Sequence, residues 1–179
     1  MSLRAGTHKI GPADGSLQVH TSREGVAQKV GHDLVLAVGR WEATTEGHDD
    51  ELVEVVLEAD GQSLEVREGL GGLKALTDKD RKEILGNIDD KVLRRQPITF
   101  RSTSIRHAGG QLTVAGELTL AGTTRPASFN LTLTDDGRLT GTLAVVQSEW
   151  GIKPYRGLMG ALRVRDAVDV VIDVALPAG

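Results

Sequence analysis

The chain has no cysteine. That one absence removes disulfide staples, thiol nucleophiles and cysteine metal sites together, so packing and hydrogen bonding must hold the fold. Aromatic residues are scarce too. Two Trp, two Phe and one Tyr make up 3% of the sequence, too few for a platform on which sugars or nucleobases stack. No run approaches the roughly 20 apolar residues of a membrane-spanning helix, and the opening MSLRAGTHKIGPADG lacks the apolar core of a signal peptide. A soluble, cytoplasmic protein without an integral membrane segment is therefore expected. An excess of one charge is also missing. The 21 basic and 25 acidic residues give a formal charge of -4 and are spread along the chain, so neither a nucleic-acid partner nor a polybasic membrane anchor is expected.

Catalytic signatures are equally thin. His8, His20, His32, His48 and His107 show no HxH or HExxH spacing, and no GxSxG elbow, phosphate loop or dinucleotide fingerprint occurs. Ser102 and Ser148 stand alone in strand-like contexts. No catalytic residue and no metal ligand is assigned, and no cofactor is required. A chain of 179 residues is long enough to bury a core as one domain spanning 1–179.

What the sequence does carry is alternation. In VAGELTLAGTTRP (Val114 to Pro126), Val114, Leu118 and Leu120 point one way and Glu117 and Thr119 the other, the period of a strand with one dry face. The same pattern predicts strands at Ser16 to Thr21, Leu34 through Trp41 to about Thr44, Leu52 to Ala59 with Val53, Val55 and Leu57 inward, and Ser63 to Arg67. Further strands are predicted at Ile98 to Arg106, Gln111 to Ala121, Ala127 to Thr134, Arg138 to Val146 and Ala167 to Leu176. GVAQKVGHD reads as a loop or a turn of helix, and Asp60-Gly61 as a hairpin turn. One helix is predicted between Thr77 and Leu93: Thr77 is the N-cap, Asp78 and Asp80 fill the first turn, and Ile84, Leu85, Ile88 and Val92 recur at helical spacing. Its narrow apolar stripe suits either the mouth or the flank of a barrel.

About eight antiparallel strands joined by short turns leave a sandwich or a closed barrel, and sequential hairpins favour the barrel. Such a barrel is either filled by its own side chains or holds one ligand. Gly116 and Gly141, at inward positions, fit either an open interior or a bend.

Four motifs, KVGHDL (Lys29 to Leu34), PITFRS (Pro97 to Ser102), VAGELTLAGTTRP and QSEWGI (Gln147 to Ile152), resemble the YceI-like proteins in order and spacing, from about Gly6 to Leu176. The resemblance implies an all-β, lipocalin-like extended antiparallel β-barrel with a helix on it, whose tunnel takes a polyisoprenoid, an isoprenoid quinone or another lipid, and no defined catalytic activity. Gln147 and Trp150 depart from the family's pattern, which more often has an arginine before the serine and a Phe later.

Expected wall residues of the tunnel are Leu36, Val38, Phe100, Leu118, Leu120, Phe129, Leu131 and Leu143, each of which could equally fill an ordinary core. His32, Asp33 and Arg125 are headgroup candidates; the alternative for each is bracing of its own loop or turn. Trp150, with Gly151, Lys153, Tyr155 and Arg156, suits a portal onto lipid or a cap on the barrel end. The readings left open are a carrier of a lipid-like small molecule, a barrel-based enzyme or stress-related interaction module using His32 and the 147–156 loop, and a solid structural barrel. A homodimer through a sheet edge also stays open.

Overall fold

The structure is a computed structural model that describes residues 3–177. In chain order its strands are β1 (Gly6–Ile10), β2 (Gly15–His20), β3 (Arg23–Glu24), β4 (Asp33–Val38), β5 (Trp41–His48), β6 (Glu51–Ala59) and β7 (Leu64–Leu70). After the helix come β8 (Ile98–Ala108), β9 (Gln111–Leu120), β10 (Thr123–Leu133), β11 (Arg138–Val146), β12 (Arg156–Gly157), β13 (Leu162–Val164) and β14 (Ala167–Ala175). Eleven of them form one curled antiparallel sheet in the order β1-β5-β6-β8-β9-β10-β11-β14-β2-β4-β7, and β12, β13 and β3 form a small second sheet.

The all-β, lipocalin-like class expected from the sequence is the one observed, but the strand count is higher than eight. Breaks within expected strands account for part of the difference. The stretch predicted as one strand from Leu34 to Thr44 bends at Gly39-Arg40, where β4 ends and β5 begins. A Cβ on Gly39 would stand 2.9 Å from the carbonyl oxygen of Ser63, so only glycine lets the two backbones approach this closely. The Asp60-Gly61 turn makes no hairpin either. It carries the chain from β6, paired with β5 and β8, to β7, paired with β4.

These two crossings bring the ends of the curled sheet together at one corner. The Gly39 amide donates to the Ser63 carbonyl at 3.0 Å and the Asp60 amide to the Arg40 carbonyl at 3.0 Å. Asp60 anchors the corner: its Oδ2 accepts from Arg40 Nε and Nη2 at 3.0 and 2.6 Å, and its Oδ1 from the Gln62 amide at 2.8 Å. The Arg40 hydrogen bonds first, and the Gln62 amide second, hold the Asp60 carboxyl below its ordinary range.

Val53 faces the wrong way for its predicted strand. Glu46 pairs with Glu54 but Gly47 pairs with Leu52, leaving Val53 as the extra residue of a bulge. An extra residue reverses the inside-outside parity. Leu52 is consequently buried at 3% exposure while Val53 is 45% exposed.

Beyond the corner the outer edge of β7 pairs with no strand among the described residues. Helix α1 (Asp78–Asn87), continued by a π turn over Ile88–Val92, lies there instead, and Arg81 Nη1 donates to the Val66 carbonyl of β7 at 2.6 Å. The helix starts where the sequence places it. Thr77 and Asp80 form a reciprocal capping box: the Asp80 amide donates to Thr77 Oγ1 at 3.1 Å and the Thr77 amide to Asp80 Oδ2 at 2.9 Å. Those bonds, the Thr77 amide first, hold the Asp80 carboxyl low. Replacing the cap by Thr77→Ala is expected to lower unfolding free energy by about 1 kcal/mol, read as an earlier urea midpoint at unchanged slope. No change in midpoint would show that the packed apolar face alone secures the helix start.

Candidate functional site

The curled sheet is hollow. It surrounds a cavity of about 1110 Å³, at the upper end of ligand pockets, which usually measure about 300–1,000 Å³. Along β14 the residues Val168, Val170, Ile172 and Val174 all line it. Those six steps at about 3.3 Å per residue make the cavity roughly 20 Å long. Its wall is aliphatic over most of its surface, and Val19, Val55, Leu57, Val168, Val170 and Ile172, all at inward strand positions, are only half-buried because the interior is empty before them.

Eight predicted wall residues, Leu36, Val38, Phe100, Leu118, Leu120, Phe129, Leu131 and Leu143, line this space. Phe100 and Phe129 meet across β8 to β10 with ring centroids 5.5 Å apart and planes tilted by 60°, a favourable edge-to-face class of contact. The inward glycines do not enlarge the cavity. A Cβ on Gly116 would lie 2.6 Å from Phe100 Cζ and 2.3 Å from the Arg101 carbonyl oxygen, and one on Gly141 2.6 Å from Leu131 Cδ2. Each glycine seats a neighbouring side chain of the wall.

Trp150, expected at the ligand, does not line the cavity. It is 3% exposed and its Nε1 donates to the Leu118 carbonyl at 2.9 Å, so it braces β9 from the Gln147–Trp150 turn. Arg125 does not line it either, and its side chain is exposed on β10. Asp33 is also absent from the lining; its Oδ1 accepts from the Arg23 amide at 2.8 Å and stands 3.8 Å from Arg23 Nε. His32 does line the cavity, but its Nε2 donates to the Lys74 carbonyl at 2.7 Å, which ties the 70–76 segment to the start of β4.

Of the basic side chains at the rim, sequence reasoning singled out Lys153 and Arg156 in the portal loop and missed Arg23, Lys74 and Arg163. Arg23, Lys74, Lys153, Arg156 and Arg163 border the cavity together with Val30, Leu73, Tyr155 and Leu162. Arg23 joins two rim segments, donating through Nη1 to the carbonyls of Gly31 and, at 3.2 Å, Leu70. No local motif marks such a residue, since its partners are 8 and 47 positions away. The contribution of α1 was legible: the stripe Ile84, Ile88 and Val92 faces the cavity, so the helix forms part of its wall. No cluster of metal-ligating side chains occurs among the described residues, and no helix there is long and apolar enough to cross a membrane.

The solved structure of BcnA from Burkholderia cenocepacia is similar over 90% of this chain and 96% of its own, with a TM-score of 0.64 at 16% identity. A YCEI protein of Campylobacter jejuni is similar over 80% of this chain and 85% of its own, with a TM-score of 0.55 at 12% identity. At such identities the likeness is one of fold alone. No curated protein matches the sequence. The profile of the YceI-like domain, however, matches residues 78–176, more than half of the chain and the region that contains α1, β8 to β11 and β14. The chain belongs to the YceI-like domain family.

Proposed function

We propose that this protein binds and carries a long-chain hydrophobic ligand, a polyisoprenoid, an isoprenoid quinone or a fatty-acyl lipid, in the barrel interior. The observation that carries the reading is the aliphatic cavity about 20 Å long, whose volume is about 1110 Å³. A chain entering it gains about 0.8 kcal/mol per buried methylene. Fifteen or so such groups give roughly 12 kcal/mol before the cost of ordering the chain, enough for tight binding without a polar anchor. The protein is a carrier rather than an enzyme in this reading. His32, the side chain on which a catalytic alternative would rest, has its Nε2 on a backbone carbonyl, and the cavity is too long for a small-substrate site.

The test is uptake of the neutral fluorescent probe N-phenyl-1-naphthylamine, followed by competition with geranylgeraniol, decylubiquinone and oleic acid, alongside native mass spectrometry of the purified protein. One probe per chain, displaced by at least one of the three, is expected. An empty protein that takes up neither probe nor competitor would overturn the proposal.

A further inference from the structure

Charges and apolar side chains that are scattered along the sequence converge at one end of the barrel. The segments 23–31, 70–77 and 153–165 are held together by the Arg23 bonds to Gly31 and Leu70, by His32 on the Lys74 carbonyl, and by the Ala27 amide on the Ala161 carbonyl at 2.9 Å. Among the described residues, seven of the eight exposed large apolar side chains lie in them, including Val26, Leu73, Leu158 and Met159 at 94%, 73%, 60% and 107% exposure; the eighth is Val53 on the outer wall. Isolated exposed apolar residues are ordinary, but a contiguous set beside a cavity marks an interaction surface. Leu158 and Met159 hold φ of 48° and 58°, so two consecutive non-glycine residues sit in the disfavoured left-handed region to form this tip.

The same segments carry seven Arg and Lys residues against one acid, Glu24, in a chain whose formal charge is -4. Lys29, Lys74, Lys153, Arg156 and Arg165 make no ion pair among the described residues. Of the acids that flank these segments, Asp33 pairs with Arg23 of the cluster itself, Glu83 pairs with Lys79 at 3.8 Å, and Asp80 and Asp166 accept hydrogen bonds from Thr77 and Ser148. The even scatter of charge along the sequence hides this cluster.

We infer that the mouth of the barrel docks onto a bilayer bearing anionic headgroups, with Leu73, Leu158 and Met159 entering the interface and the unpaired cations facing the headgroups. Apolar tips ringed by Lys and Arg are the composition of such surfaces. A second copy docked mouth to mouth about a two-fold axis would instead set like charges against each other. The mouth opens through Val30, Leu73, Tyr155 and Leu162 into the cavity, so a lipid chain passes from bilayer to barrel without crossing water. That last step rests on the hydrophobic-ligand reading; the docking does not.

Flotation of the whole protein with phosphatidylcholine vesicles, with and without a third of phosphatidylglycerol, tests it. Binding at least tenfold tighter to the anionic vesicles is expected, since each cation near the surface contributes about fivefold, and high salt should weaken it. Met159→Asp and the pair Lys153→Glu with Arg156→Glu should each reduce binding at least tenfold, while Val53→Asp should not. Equal binding to both vesicle types, no binding to either, or a dimer in sedimentation that Met159→Asp dissolves would overturn the inference. Uptake of N-phenyl-1-naphthylamine by Met159→Asp, whose side chain does not line the cavity, is expected to be unchanged and reports on the cavity separately.

Discussion

Val170→Trp should lower uptake of a long-chain ligand about a hundredfold while leaving the fold nearly as stable as before. Val170 sits mid-wall on β14, between Leu143 of β11 and Val19 of β2 in register, and all three line the cavity. Because Val170 is only half-buried, an indole there enters empty space rather than neighbouring atoms and escapes the usual penalty of overpacking. It displaces the room for some four methylenes of ligand, about 3 kcal/mol, which is a factor near a hundred in Kd. Titration with N-phenyl-1-naphthylamine, paired with a thermal melt, measures both arms. Undiminished uptake would place the ligand outside the barrel. Val53→Trp, on the outer face, serves as the control.

Trp150→Ala should have the opposite profile, a large loss of stability. The side chain is buried, and its indole N–H donates to the Leu118 carbonyl at 2.9 Å, so truncation removes a large apolar volume and a hydrogen bond together. Buried Trp→Ala changes cost about 3–5 kcal/mol. For a domain of this size that lowers Tm by roughly 10 °C. Trp150→Phe keeps most of the ring and should cost about 1 kcal/mol for the lost bond. Thermal unfolding followed by circular dichroism reads both. A fall of only a degree or two in Trp150→Ala would show that the Gln147–Trp150 turn packs without help from its indole.

The contrast between these two positions also shows what the sequence could reveal. Leu112, 0% exposed, and Val170 both sit at inward positions of the alternation, yet only Val170 lines the cavity. Period two reports which face is dry, not whether the space beyond is filled. Val53 shows a second limit, because one bulged residue reverses a face with no local mark in the sequence. The helix was more legible: the Thr77 cap, the acidic first turn and the Ile84, Ile88 and Val92 stripe all act within a few residues of one another. The basic mouth was least legible. Its charges come from three segments, 23–31, 70–77 and 153–165, that are distant in the sequence, and only the topology brings them together.

The wall beside β7 differs in kind from the rest. Elsewhere the enclosure is woven, each strand stitched to the next by a ladder of backbone hydrogen bonds that must break for the wall to part. Along β7 it is merely upholstered: α1 rests on apolar contacts and on the bond from Arg81 to the Val66 carbonyl. A panel held this way shifts by sliding side chains past one another, with every ladder bond left intact. The vessel therefore has one side whose hold on the rest is made by side chains and not by a backbone ladder.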